Sequence, residues 1–146
     1  MVYMVNKIAK TLLLTSLLAT SSLVAEEKEY TKVDRIKDMI TMADGMELIQ
    51  KGLLYRCDNG ECIKKGAEQI KSVLLNLEKV DPKDFLDKEQ QYAHKFAKKR
   101  QIMLWMYIDE LLDEFKDKNM DGVAQNYGLA LRECTSCHMI LRPKSK

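Results

Sequence analysis

The chain of 146 residues contains 24 basic and 22 acidic side chains, and two of its lysines, Lys7 and Lys10, belong to a predicted leader. Without that leader the opposite charges balance, so composition gives no reason to expect a nucleic-acid partner. Glycine and proline are scarce and charged residues abound, which favours helices over sheets. The sequence shows no hydrolytic triad, phosphate-binding loop or supported pair of carboxylates, so we do not expect an enzyme.

Residues 1–25 are predicted to be a secretory signal peptide. Two lysines precede an apolar core, and cleavage is expected after Ala25, with a cut about four residues earlier as an alternative. The apolar run is shorter than the roughly 20 residues that span a bilayer, so no stable membrane insertion is expected after cleavage. Residues 26–146 are therefore predicted to form a single periplasmic domain.

The first half of that domain has apolar residues at steps of three and four, which predict helices over 32–56 and 61–79. The first apolar stripe consists of Ile36, Met39, Ile40, Ala43, Met46, Ile49 and Leu53. The second consists of Ile63, Ala67, Ile70, Leu74 and Leu77. Cys57 and Cys62 bracket an Asn-Gly turn between the helices, and in an oxidising compartment we expect them to form a disulfide.

A third helix is predicted to begin between Asp84 and Lys88 and to run to about Asp117. It is longer than its neighbours, so its first turns either project beyond them or form a separate short helix. The residues expected to face inward are Tyr92, Phe96, Leu104, Ile108, Leu111 and Phe115. The basic residues near its start, expected to form a solvated helix face, are Lys95, Lys98, Lys99 and Arg100.

A fourth helix is predicted to follow Asp121, the expected N-cap, and to end before Pro143. Its apolar stripe consists of Val123, Tyr127, Ala130, Cys134, Cys137 and Leu141. Four helices of this kind predict an all-α fold. Both C-terminal cysteines are expected on the buried face of the last helix.

The fourth helix contains the run Cys134-Thr135-Ser136-Cys137-His138, which is the attachment signature of a c-type haem. On a helix the two cysteines and the histidine share one face, so two thiols can bond the two vinyl groups of one porphyrin while the imidazole reaches its iron. A thioredoxin-like pair would need a preceding strand, and zinc would need a further ligand. A plain disulfide leaves His138 unexplained, so we predict one covalent haem c.

Four helices with this motif in the last one resemble the class II c-type cytochromes, that is, cytochrome c′ and its low-spin relatives of the cytochrome c556 type. The pair Tyr127-Gly128, seven residues before the first haem cysteine, and Arg142, four residues after the histidine, match local patterns of that family. In the first helix Arg35 is followed four residues later by Met39, which also fits. The cysteine pair at 57 and 62 and the long third helix depart from the family pattern.

The resemblance implies an antiparallel four-helix bundle with haem attachment in the C-terminal helix. It also implies His138 as the proximal ligand, and it places Met39 where low-spin members have their sixth iron ligand. The expected function is then electron transfer with periplasmic redox partner proteins, and a homodimer is plausible. Met42 and Met46 are expected to pack in the core. His94 is expected to be exposed or capped, although bis-histidine ligation stays open.

Two other functions stay open at this point. If Met39 does not bind the iron, the distal face is open, and a five-coordinate protein of the cytochrome c′ kind would bind nitric oxide or carbon monoxide. If Cys134 and Cys137 form only a disulfide, the chain is an exported helical bundle without haem.

Overall fold

The computed structural model describes residues 30–57, 60–86 and 88–141, and all the regular secondary structure in these ranges is helical. The α-helices of the described residues are α1 (Lys32–Leu53), α2 (Glu61–Glu78), α3 (Pro82–Phe85), α4 (His94–Lys116) and α5 (Met120–Leu141). A 3-10 helix, Lys88–Ala93, precedes α4. The all-α prediction is confirmed, whereas the predicted signal peptide of residues 1–25 and Arg142 lie outside the described residues.

Helix α1 begins with a capping box, in which the Thr31 hydroxyl accepts a bond from the Asp34 backbone N–H and the Asp34 carboxylate accepts one from the Thr31 backbone N–H. The helix runs unbroken through Gly45, as predicted. It ends at Leu53, three residues earlier than expected, because the chain turns into a left-handed conformation at Tyr55, with φ of 54°.

Helices α1 and α2 run antiparallel and touch through glycines. A Cβ atom added at Gly45 would lie 2.8 Å from the Gly66 carbonyl oxygen, and one added at Gly52 would overlap the Ile63 side chain. The earlier residue of α1, Gly45, faces the later residue of α2, Gly66, and Gly52 faces Ile63, so the two helices run in opposite directions. Because these glycines have no side chain, the two backbones approach each other closely.

The predicted disulfide between Cys57 and Cys62 is confirmed, and it joins the end of α1 to the start of α2 with a Cα–Cα distance of 6.0 Å. Gly60, inside the bridged turn, has φ of 72° and lies against the ring of Phe115. A left-handed residue at the start of a helix is best supplied by glycine. The disulfide therefore lies at the end of the molecule where α4 finishes.

The first turns predicted for the third helix form a separate short helix, which is one of the two expected alternatives, since the 3-10 helix precedes α4. Before it, Pro82 opens the short helix α3, because its fixed φ suits a first helical position, and Asp81 caps that turn by accepting a bond from the Lys83 backbone N–H. A 3-10 segment follows, so the long helix α4 begins only at His94. Tyr92 lies in the 3-10 segment and is exposed, not inward as predicted.

Helices α4 and α5 also run antiparallel, since Arg100 near the start of α4 bonds Glu133 near the end of α5. The predicted N-cap of the last helix is wrong. Asp121 lies inside α5, and the Asn119 side-chain oxygen accepts the bond from the Gly122 backbone N–H. The N-cap therefore lies two residues earlier than predicted. Asn caps a helix as well as Asp does, so the helix start is still capped.

The core is built from the stripes of α2, α4 and α5 together with the second half of α1. All five predicted positions of the α2 stripe are buried, which confirms that prediction. The main core residues are Met46, Ile49, Ile63, Ala67, Ile70, Leu74, Leu104, Ile108, Leu111, Val123 and Ala130. Within the described ranges, no helix is both long and apolar enough to cross a membrane.

The first half of α1 does not bury its stripe as predicted. Ile36 and Ile40 are 50% and 57% exposed, and Ala43 is exposed as well. Met42 packs against the core and Met46 is buried, so these two methionines have the packing role expected of them. The closest packing of α1 on α2 is through glycines of its second half, and this leaves apolar surface uncovered on the first half.

Candidate functional site

The Cys-x-x-Cys-His run lies on the last two turns of α5 and interrupts neither of them. Cys134 packs against the core, continuing the buried positions Val123 and Ala130, and Cys137 is also partly buried. His138 is exposed one position further on. The three side chains therefore stand on one side of the helix, with the thiols toward the protein, as the sequence predicts.

Both thiols are free, and their surroundings favour the protonated form. Burial raises the pKa of the Cys134 thiol to about 11, and the pKa of the Cys137 thiol is also raised, again mainly by burial. Catalytic cysteines of redox proteins have depressed pKa values, because the thiolate is their nucleophile. The raised pKa values of this pair therefore give no support to a thiol–disulfide function.

A buried ion pair lies beside the motif. The Glu133 carboxylate is 1% exposed, and its Oε2 accepts a bond from Arg100 Nη1 at 2.6 Å. The Arg100 guanidinium also lies 4.6 Å from the centre of the Phe96 ring. The two charges act on Cys137 in opposite directions, since the guanidinium lowers the pKa of that thiol and the carboxylate raises it.

The sequence reasoning missed this ion pair. Arg100 was assigned to a solvated basic face, whereas its side chain is only 25% exposed, and Glu133 was given no role. The available signal was periodicity, because Glu133 lies three residues after Ala130 and therefore falls on the buried stripe of α5. A charged residue on a buried stripe needs a partner of opposite charge.

Met39 is partly buried in the first half of α1. Helices α1 and α5 are in contact. Lys98 near the start of α4 bonds the Glu78 carbonyl oxygen at the end of α2, so with the two antiparallel pairs the start of α1 lies at the same end as the end of α5. The uncovered apolar residues on this half of α1 include Val33, Ile36 and Ile40. An apolar surface thus lies at the end that carries the two thiols, and iron ligation by Met39 stays a prediction.

Three other side chains have clear positions. Tyr127 is partly buried against the core, and burial raises the pKa of its hydroxyl. Trp105 also packs on the core, with Lys71 Nζ lying 5.2 Å from its ring centre. His94 Nδ1 lies 2.9 Å from the Gln91 carbonyl oxygen, which can only accept, so this nitrogen carries the proton. His94 is therefore capped, as expected.

The donor set fits a covalently attached haem. Two protonated thiols one helical turn apart can each form a thioether, the next residue offers an imidazole, and an uncovered apolar surface lies at the same end. No family model, no curated protein and no solved structure matches this chain.

Proposed function

We propose that this chain is a periplasmic monohaem c-type cytochrome that transfers electrons. In this proposal α1, α2, α4 and α5 form an antiparallel four-helix bundle with the haem attached to α5. The observation that carries it is the presentation of two free, partly buried thiols, Cys134 and Cys137, with His138 on the same side of one helix. The uncovered apolar face of the first half of α1 supports it, because a porphyrin needs apolar walls.

The chain's residues would act as follows. The thiols of Cys134 and Cys137 would hold the haem through one thioether each, formed by addition of S–H to a vinyl group, which needs no oxidant and releases no group. His138 would supply a ring nitrogen to the iron, and Met39 would supply a thioether sulfur. When bound, the haem supplies a one-electron couple between ferrous and ferric iron. The core residues around Ala130 exclude water from the attached edge.

The test is covalent haem attachment in a host that exports and matures c-type cytochromes. The wild-type protein should show a Soret band and should keep its haem on a denaturing gel. The variant Cys134→Ser/Cys137→Ser should lose haem on that gel, because no thioether can form. The matched control is Cys57→Ser/Cys62→Ser, which removes two cysteines from the disulfide and should keep the haem. A wild-type protein without covalent haem would favour the alternative of an exported bundle without cofactor.

The sixth ligand separates electron transfer from gas binding. We expect a low-spin reduced spectrum and, in the oxidised protein, the weak long-wavelength band of iron–sulfur ligation. Met39→Ala should abolish that band and lower the reduction potential, whereas Met42→Ala, which removes a core-packing methionine of the same helix, should keep it. A wild-type spectrum that is high-spin and changes promptly with nitric oxide or carbon monoxide would instead indicate a five-coordinate gas-binding protein.

A further inference from the structure

Helix α4 has basic side chains near its N-terminus and acidic side chains near its C-terminus, an arrangement that the helix dipole disfavours. Residues 94–100 hold four basic side chains and no acidic one, although the N-terminal end of a helix dipole is positive. The acidic residues gathered at the other end, which is the negative end of the dipole, are Asp109, Glu110, Asp113, Glu114 and Asp117. Helix stability therefore does not explain this arrangement.

The basic end of α4 is the end of the molecule that carries the haem motif. Arg100 bonds Glu133 directly before Cys134, which fixes the register between α4 and α5. Lys98 Nζ donates to the Glu78 carbonyl oxygen at the end of α2, at a distance of 3.1 Å. The residues that line one shallow surface cleft there include Lys79, Lys95, Lys98 and His94.

The lysines at this end are not paired with carboxylates. Within the described ranges, no ion pair is made by Lys79, Lys95, Lys98 or Lys99, and the same holds for Lys65 and Lys118 at the other end. The lysines that do pair with carboxylates are Lys51, Lys64, Lys71 and Lys116.

Two carboxylates, Glu78 and Asp81, also line the cleft. Asp81 accepts a bond from the Lys83 backbone N–H, which holds it at the start of α3. Against these two acids, the cleft lining holds three lysines, Lys79, Lys95 and Lys98. Helix α4 is thus polarised, with its basic end at the haem-motif end and its acidic end near the disulfide, although the total charge of the chain is small. Such a distribution orients a charged partner during approach.

We propose that the surface formed by Lys79, Lys95, Lys98 and Lys99 is the docking site for an acidic redox protein, which would exchange electrons at the adjacent haem. This inference rests on the proposed function and names the chemistry of the partner. The sequence alone favours a solvated helix face. The structure adds that the cluster lies at the haem-motif end, that none of its four lysines makes an ion pair within the described residues, and that it opposes the helix dipole.

The test uses the full, haem-loaded protein and a defined probe, reduced flavodoxin, which is an acidic one-electron donor. The variant Lys95→Glu/Lys99→Glu should lower the second-order rate constant of haem reduction by about tenfold at low ionic strength. The control Lys64→Glu/Lys65→Glu has the same charge change at the start of α2, beside the disulfide, and should change the rate less than about twofold. The difference between the two variants should disappear in high salt.

Folding of each variant is checked by its helical circular dichroism and haem spectrum, and Lys95→Gln/Lys99→Gln should show a smaller decrease in the same direction. A haem-loaded protein with equal rates in both charge-reversed variants would overturn the docking site and leave the proposed function standing. A chain without covalent haem would overturn both. Binding to phosphatidylglycerol vesicles that is lost in Lys95→Glu/Lys99→Glu, with an unchanged flavodoxin rate, would assign the surface to a membrane and overturn the proposal.

Discussion

Gly66→Ala is expected to lower the free energy of unfolding by about 3 kcal/mol. A Cβ atom at this position would overlap the Gly45 carbonyl oxygen and would lie 3.0 Å from the Ile49 backbone nitrogen. Both are backbone atoms of α1, so no flexible side chain can move aside, and α1 and α2 must separate. Separation would loosen the packing of Ile49, which is fully buried in the core.

Gly128→Ala is the matched control, because it adds the same methyl group to a glycine inside another helix. A Cβ atom there would meet nothing within 4 Å. Alanine has the higher helix propensity, so this variant should be more stable by up to about 1 kcal/mol. Urea unfolding of both variants beside wild type is the measurement. A loss of similar size in both would show that the close α1–α2 contact does not decide the effect.

The contrast between these glycines shows what the sequence could establish. Periodicity within one segment predicted the α2 stripe, because every helix on that pattern has one apolar face. It also predicted that α1 continues through Gly45. The contact of Gly45 with Gly66 was not predictable, because it depends on which faces of the two helices meet and how closely they approach. Glycines also have no apolar side chain and so add nothing to a periodic pattern.

The wrong predictions have related causes. The apolar stripe of α1 implies a buried face along its whole length, but burial also needs a neighbour, and the first half, with Ile36 and Ile40, has too little cover. The short helix α3 was not predicted, because four residues are too few to show a periodic apolar pattern, although Pro82 suits a first helical position. The placement of Cys134, Cys137 and His138 on one side of α5 was predictable because their spacing lies within five consecutive positions of one helix. Haem attachment there stays a prediction.

The pairing of Arg100 with Glu133 joins residues 33 positions apart on two helices, so local patterns could not reveal it. Glu133→Ala is expected to lower the free energy of unfolding by about 3 kcal/mol, because it leaves the Arg100 guanidinium largely buried without its carboxylate. Arg100 keeps 25% exposure, and the water that reaches it places the loss at the lower end of the range for buried pairs.

The double variant Arg100→Met/Glu133→Leu separates an uncompensated charge from lost packing. It replaces the pair by apolar side chains of similar size, so it should recover most of the stability that Glu133→Ala loses, as found when buried ion pairs are exchanged for packed hydrophobic residues. Urea unfolding of the two variants and wild type measures this. If the double variant lost as much as Glu133→Ala, the pair itself would hold α5 on α4. Covalent haem content should follow the same order, because Cys134 follows Glu133 directly and its presentation depends on that contact.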